Sequence, residues 1–261
     1  MRKAHDSTID LITPTYDAGS VDSTVSVSLT NGNRIFQAKQ DYAVGRSPVS
    51  VFSIDVNQDS KIDLITANAD DNSVSVLQGN GDGTFRAKQD HAIGTPPKWI
   101  SYTDVNQDSK MDLITVNPVG TSVSVLLGNG NGTFQAKQDY VVGTRVWTVL
   151  SIDVNQDSKV DLITANRGDN SVSVLLGNGN GAFQAKHDYT VGTQPSSAFS
   201  IDVNLDSKVD LITANAVGNS ISVLLGNGNG TFQAKQDYAV GTEPLSVFSV
   251  DINQDSKKDL I

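Results

Sequence analysis

Hydrophobic and polar positions alternate along this chain in short runs with a period of two, and no stretch carries a 3.6-residue apolar period, so the pattern predicts strands and no helix. One stretch shows the scheme. Residues 49–56, 63–68, 73–78 and 85–93 each read as a strand, separated by turns rich in Asn, Asp and Gly. The first piece is apolar at Val49, Val51, Phe52, Ile54 and Val56, which predicts an inner strand covered on both faces by neighbouring sheets. The third sets Val74 and Val76 against Ser73 and Ser75, the alternation of a half-buried strand. The fourth carries Arg86, Lys88 and Asp90, and its lysine returns as Lys39, Lys137, Lys186 and Lys235. Charge of this kind belongs on an outer edge strand, where it opposes pairing with another sheet.

The scheme itself recurs. DVNQDSKIDLITAN at Asp55 returns with one or two changes at Asp104, Asp153 and Asp202, and as DINQDSKKDLI at Asp251, each copy 49 residues after the last. A period near 50 made only of short strands predicts propeller blades. The expected fold is therefore all-β: one domain over 1–261, a five-bladed β-propeller of four-stranded antiparallel blades. Its blades are 49–93, 98–142, 147–191 and 196–240, with a fifth made from 9–44 plus 245–261, so that N- and C-terminal strands join to close the ring. Residues 6–13 and 255–261 are versions of one segment and cannot both fill one position, which predicts that one copy is displaced. The alternative is a piece of a longer array with an exposed edge or a swapped dimer.

Between the first two strands of every copy lies D-x-N-x-D-S-K-x-D. Its positions 1, 3, 5, 7 and 9 are Asp55, Asn57, Asp59, Lys61 and Asp63, then Asp104, Asn106, Asp108, Lys110 and Asp112. They return as Asp153, Asn155, Asp157, Lys159 and Asp161, as Asp202, Asn204, Asp206, Lys208 and Asp210, and as Asp251, Asn253, Asp255, Lys257 and Asp259. Side-chain oxygens at 1, 3, 5 and 9, with the backbone carbonyl at 7, suit a hard cation of calcium's size, so about five structural Ca2+ are expected. The metal-free reading is an Asx-rich turn. Three carboxylates within nine residues repel one another without a cation, which favours the metal. Position 6, where such loops turn with positive φ on Gly, is Ser60, Ser109, Ser158, Ser207 and Ser256 here.

DVNQDSKIDLITAN followed by NSVSVLQGNGDGTF resembles the FG-GAP/VCBS repeat family, to which the calcium-binding blades of integrin α-chain propellers and several lectins belong, and the resemblance covers essentially the whole chain. It implies a propeller, structural calcium between the first two strands of each blade, and extracellular adhesion or glycan binding.

Composition narrows the partners. Asp and Glu number 29 against 19 Lys and Arg, a net charge of −10, which repels a phosphate backbone and argues against nucleic acid. No apolar run is long enough to span a bilayer, so membrane insertion is not expected. The absence of Cys removes disulfides and thiolate chemistry. No signal peptide is visible, so an extracellular location implies that one was removed or that this is an excised segment.

The GNGNG segments read as hairpin turns rather than phosphate loops, because no helix follows. His5, His91 and His187 share no blade position with acids and a nucleophile. Where the copies differ, they differ before the first strand and after the second. The first of these patches holds Lys98, Trp99, Arg145 and Trp147, candidates for stacking on a sugar ring or gripping a peptide, or else for plugging the ring. The second holds Arg167-Gly168-Asp169, a three-residue string discounted as chance. The expectation is a calcium-stabilised extracellular binding module, glycan-binding or adhesive, and not an enzyme. Its partner is a glycan or a cell-surface protein, and it is a monomer or a swapped, self-associated propeller. A structural scaffold within a larger secreted protein is the second reading, and a calcium-dependent polysaccharide-degrading enzyme the third.

Overall fold

The computed structural model describes residues 11–15, 23–30, 36–253 and 258–260. Every regular element among them is a strand, and no helix is long and apolar enough to cross a membrane. Contacts divide the chain into two compact units, Met1–Lys98 with Gly128–Phe134, and Trp99–Leu127 with Gln135–Ile261.

The first unit holds a three-stranded antiparallel sheet of β1 (Leu11–Thr15), β2 (Thr24–Ser28) and β3 (Gln40–Ala43). Beside it lies a four-stranded one in the order β4 (Pro48–Ile54), β5 (Asp63–Asn68), β6 (Ser73–Leu77) and β7 (Gln89–Ala92). The second unit holds three more four-stranded sheets of the same order. They are β8 (Trp99–Thr103) to β11 (Gln138–Val141) through β9 (Asp112–Asn117) and β10 (Ser122–Leu126), then β12 (Val146–Ile152), β13 (Asp161–Asn166), β14 (Ser171–Leu175) and β15 (His187–Thr190), then β16 (Pro195–Ile201), β17 (Asp210–Asn215), β18 (Ser220–Leu224) and β19 (Gln236–Ala239). A pair, β20 (Ser249–Val250) and β21 (Asp259–Leu260), follows. The chain is thus all-β and built from repeated, propeller-like four-stranded sheets.

Of the strands expected to join as a fifth blade, from 9–44 and 245–261, β1 is bonded to β2 and β20 to β21. Each copy of the D-L-I strand takes its local partner, the pairing with the smallest loop-closure entropy. One expectation changes, and it concerns burial. The apolar first strand is only partly covered, whereas the second and third strands are buried along their whole length. The order of the sheet explains this, since β4 and β7 are its edges and β5 and β6 its centre.

Central strands covered on both sides must satisfy their polar face as well as their apolar one. Asn68, the last residue of β5, does most of this. Its Nδ2 donates to Ser73 Oγ at 3.1 Å and Ser75 Oγ at 2.8 Å, and its Oδ1 accepts from Thr66 Oγ1 at 3.0 Å. Ser75 Oγ in turn donates to Asp90 on β7 at 2.6 Å and accepts from Gly45 N at 3.0 Å. The set recurs around Asn166 and Asn215. The charges read as edge protection therefore also serve the interior: Lys88 pairs with Asp90, which holds the buried serine.

Adjacent sheets are locked by one aliphatic cluster and one aromatic pair. In the first unit Val25, Val27 and Val44 pack on Leu64 and Leu77, and Tyr42 meets Phe85 edge to face at 5.3 Å. In the second unit the pairs are Tyr140–Phe183 at 5.2 Å and Tyr189–Phe232 at 5.4 Å. Such contacts add about 0.5–1.5 kcal/mol beyond area burial. His91 holds the tyrosine position against Phe134 at 5.2 Å. Burial holds its imidazole below the ordinary value, with the backbone at Gly132 and the Asp90 carboxylate opposing.

Two predictions follow from these contacts. Replacing Asn166 by Ala leaves Thr164, Ser171 and Ser173 without their shared partner and is expected to cost about 2–4 kcal/mol; a loss under about 1 kcal/mol in urea unfolding would refute the network's role. For His91 the neutral ring is favoured in the folded state, so the unfolded chain takes up the proton first as pH falls below about 6.5, and stability drops there. The melting temperature of His91→Tyr should exceed that of the unsubstituted chain increasingly from pH 7 to pH 5, and parallel profiles would rule the effect out.

Candidate metal-binding loops

Four of the five loops lie wholly within the described residues, and in the fifth Asp255 and Lys257 lie outside them. Each loop is folded by its own carboxylates. Asp59 N donates to both Asp55 Oδ1 at 3.1 Å and Asn57 Oδ1 at 3.0 Å, so the oxygens of positions 1 and 3 converge on one point. Ser60 N donates to Asp55 Oδ2 at 2.8 Å, and Lys61 N to Asp59 Oδ1 at 3.0 Å. The same bonds recur in the loops of Asp104, Asp153 and Asp202. Position 6 takes positive φ, as expected, at Ser60, Ser109, Ser158 and Ser207. Position 4 does so too, at Gln58, Gln107, Gln156 and Leu205, which nothing in those residue types announces.

The acidic positions have unlike environments. Asp59 pairs with Lys61 at 3.2 Å; burial alone would raise its carboxyl, but hydrogen bonds from the Lys61 side chain and backbone outweigh it and hold the group below its ordinary value. Asp157 is held low in the same way by Lys159. Asp63 is fully buried. Its Oδ2 accepts from Val56 N at 3.1 Å and its Oδ1 from Gly79 N at 2.8 Å, so it ties the loop to the turn after the third strand. Burial raises its carboxyl, those two amides oppose the shift, and Asp59 and Asp55 add to it, which places all three carboxylates within electrostatic reach of one another. Asp161 repeats this with Val154 N and Gly177 N, at 2.9 and 2.7 Å. Asp112, Asp210 and Asp259 accept from Val105, Val203 and Ile252 N in the same manner.

The glycine turns are fitted to these loops. A Cβ on Gly177 would lie 2.1 Å from Val160 O, so only Gly lets its amide reach Asp161. A Cβ on Gly179, which has φ of 77°, would meet the Lys159 stem at 2.9 Å. Neighbouring loops of the second unit are also stapled: Gln107 Nε2 donates to Ser158 O at 2.6 Å and Gln156 Nε2 to Ser207 O at 2.5 Å. Leu205 ends this series. Among the described residues no group of three or more His, Cys, Asp or Glu side chains is drawn together as a metal cluster, because the carboxylates turn onto backbone amides. The donors themselves, carboxylate and amide oxygens only, fit a hard cation.

Residues 55–114, 104–164, 153–213 and 202–261 each match the FG-GAP-like repeat. The chain belongs to the FG-GAP-like repeat family. No curated protein matches it. Among solved structures this FG-GAP-like chain resembles a lectin of Agrocybe aegerita that recognises non-reducing terminal N-acetylglucosamine, at 18% identity and a TM-score of 0.60, over 97% of this chain and 74% of that one. It also resembles the periplasmic gluconolactonase of Pseudomonas aeruginosa, at 14% identity and a TM-score of 0.65, over 97% and 70%. A third likeness is BBS1N in its complex with ARL6DN, at 13% identity and a TM-score of 0.56, over 79% and 61%. These identities show a shared fold. They also correct the expectation that the chain is not an enzyme: a gluconolactonase is built on this same architecture, so regular repeats exclude no catalytic role.

The candidate ligand residues fall in different settings. Trp99, at the start of β8, is 43% exposed, and Arg145 is exposed with a left-handed φ of 51°. Lys98 is half-buried. Trp147 sits at the bulge between Val146 and Thr148, with the Arg167 guanidinium 4.6 Å from its ring centroid. Arg167 also donates to Gln194 at 3.0 Å, and Asp169 accepts from Thr144 N and Oγ1, both at 2.6 Å, so the Arg-Gly-Asp string is engaged internally.

The division between positions 5 and 9 is testable in chelator. Asp161→Asn cannot accept from both amides and is expected to lose about 2–4 kcal/mol without any cation. Asp157→Asn, with its carboxylate in solvent-exposed surroundings, should lose under about 1 kcal/mol there. Equal losses in urea unfolding would show that position 9 has no separate structural role.

Proposed function

We propose that this chain is a calcium-stabilised extracellular binding module that recognises a glycan or a cell-surface protein. The observation that carries the reading is the loop repeated in the four copies that lie wholly within the described residues, in which Asp and Asn oxygens converge on one amide while a third carboxylate lies buried beside them. Asp55, Asn57, Asp59, the carbonyl of Lys61 and Asp63 would hold the ion, with their counterparts in the other copies, and the ion would neutralise a crowd of carboxylates in a chain of net charge −10. Its part is structural. Extracellular calcium modules bind at about 10⁻⁴ to 10⁻³ M, which ties occupancy to a millimolar-calcium compartment. Tenfold saturation gives roughly 1.4 kcal/mol per site, and five sites on the order of 7 kcal/mol.

The lectin likeness supports a sugar as the ligand class, and near-identical copies would supply avidity from weak single contacts. Trp99 offers an exposed aromatic face for stacking. The likeness to BBS1N in its complex supports the protein alternative.

In melting experiments millimolar calcium, but not magnesium, is expected to raise the transition by about 10 °C or more over chelator. An unchanged transition would remove calcium from the reading. On a glycan array in calcium, selective hits that weaken at least tenfold in Trp99→Ala support the sugar, and an array without hits from the folded protein turns the proposal to a protein partner.

A further inference from the structure

The glycine turn after the third strand of each complete sheet is closed by the same backbone bond. Asn80 N donates to Thr84 O, Asn129 N to Thr133 O and Asn227 N to Thr231 O, each at 2.9 Å, and Asn178 N to Ala182 O at 2.8 Å. All four asparagines are exposed, and each is followed by a glycine of positive φ, between 76° and 85°, at Gly81, Gly130, Gly179 and Gly228.

The four turns differ in one side chain. In three of them the asparagine Nδ2 donates to the threonine hydroxyl, at 2.9 Å from Asn80 to Thr84 and at 2.8 Å from Asn129 to Thr133 and from Asn227 to Thr231. That hydroxyl donates in turn to the side chain between the two glycines, Asp82, Asn131 or Asn229, at 2.6, 2.7 and 2.6 Å. Position 182 is alanine. Asn178 therefore has no hydroxyl to hold its amide, and Asn180 Oδ1 keeps only the bond from Ala182 N, at 3.1 Å. The lysine beside the turn does not set Asn178 apart, since Gly81, Gly179 and Gly228 lie alike against the stems of Lys61, Lys159 and Lys208.

We propose that Asn178–Gly179 is a deamidation site of this chain, reacting ahead of its counterparts at Asn80, Asn129 and Asn227. The Gly179 backbone nitrogen bonds to Asn178 Cγ as it gives up its proton; the bond from Cγ to Nδ2 breaks, and the amide nitrogen leaves with that proton as ammonia. Water then opens the resulting five-membered imide at either carbonyl, giving aspartate or isoaspartate. Glycine, without a Cβ, leaves its nitrogen open to this approach in all four turns. The Asn178 amide alone can turn onto it without first breaking a hydrogen bond to threonine. The product places a new carboxylate in a turn that borders Lys159, whose Nζ pairs with Asp157 of the neighbouring loop at 3.0 Å. The site stands independently of the calcium reading.

Incubation of the folded chain in mildly alkaline buffer, followed by tryptic peptide mapping with mass spectrometry that separates aspartate from isoaspartate, tests it. The four turns fall on four different tryptic peptides. Conversion at Asn178 is expected to run about threefold or more faster than at Asn80, Asn129 or Asn227. Ala182→Thr should slow Asn178 to the rate of the others, and Thr133→Ala should raise Asn129 to the rate of Asn178. Each substitution installs a residue that another copy already carries at that position, and melting curves confirm that both variants fold. In urea-unfolded chain the four rates should converge. Equal rates in the folded protein overturn the proposal, as does an Asn178 rate indifferent to Ala182→Thr or a lead of Asn178 that persists undiminished after unfolding.

Discussion

A strand covered on both faces has to find a partner for every hydroxyl and amide it carries, and in this chain two such strands lie at the centre of each complete sheet. The valine side of that requirement is met by packing. The serine side is met by an asparagine that ends the second strand and reaches two serines of the third, and by an aspartate of the outer strand that accepts from one of them. An orphaned hydroxyl at such a site costs about 1–3 kcal/mol, more than most single surface contacts return. That asymmetry accounts for the unchanging residues of the repeat better than their exposure does, because Lys88 and Asp90 sit at the surface and yet complete a network that ends at a buried asparagine.

A second constraint joins the sheet to its loop. The aspartate at position 9 is an anion in the interior, and its two oxygens are held by one amide from the loop side and one from the glycine turn. The turn reaches it only because Gly79 has no Cβ, whose place would be 2.0 Å from Ile62 O. Loop, second strand and glycine turn are therefore one unit, and neither the acid nor the glycine can change alone. The loop inherits a fixed shape before any cation is considered, with its outer carboxylates turned onto their own backbone. A cation would compete with these amides for the same lone pairs, and the left-handed residues at positions 4 and 6 hold the oxygens close enough for that competition.

The period, the limits of the second strand and the loop were legible because they rest on local chemistry: alternation, Asx turns and a spacing of nine residues. Burial was less so. A period of two reports which side chains share a face and is silent on whether that face meets water, and serine is at home in either setting, so the alternation did not show that Ser75 is buried under an asparagine. The first strand read as covered on both faces from its apolar content, but sheet order, a non-local property, makes it an edge that is only partly buried. Position 4 of the loop carries Gln or Leu, types with no preference for positive φ, and only the closed turn imposes it. Arg167 and Trp147, twenty residues apart in sequence, meet through the pairing of β12 with β13, which no local pattern encodes.

Near-identity of the copies makes each exception interpretable. His91 stands for tyrosine where the ring packs edge to face on a phenylalanine, Leu205 for the glutamine that staples a loop to the next, and Ser28 for the leucine that elsewhere caps the preceding sheet. The exceptions before the first strand are of another kind. Ser47, Arg145, Gln194 and Glu243 differ in chemistry while sharing the same left-handed backbone, an uncommon conformation for such residues that recurs in four copies, Pro96 standing at the equivalent position of the other. A backbone held constant under side chains that vary presents different groups from one repeated position, and this is the part of the repeat that structural demand leaves open to recognition.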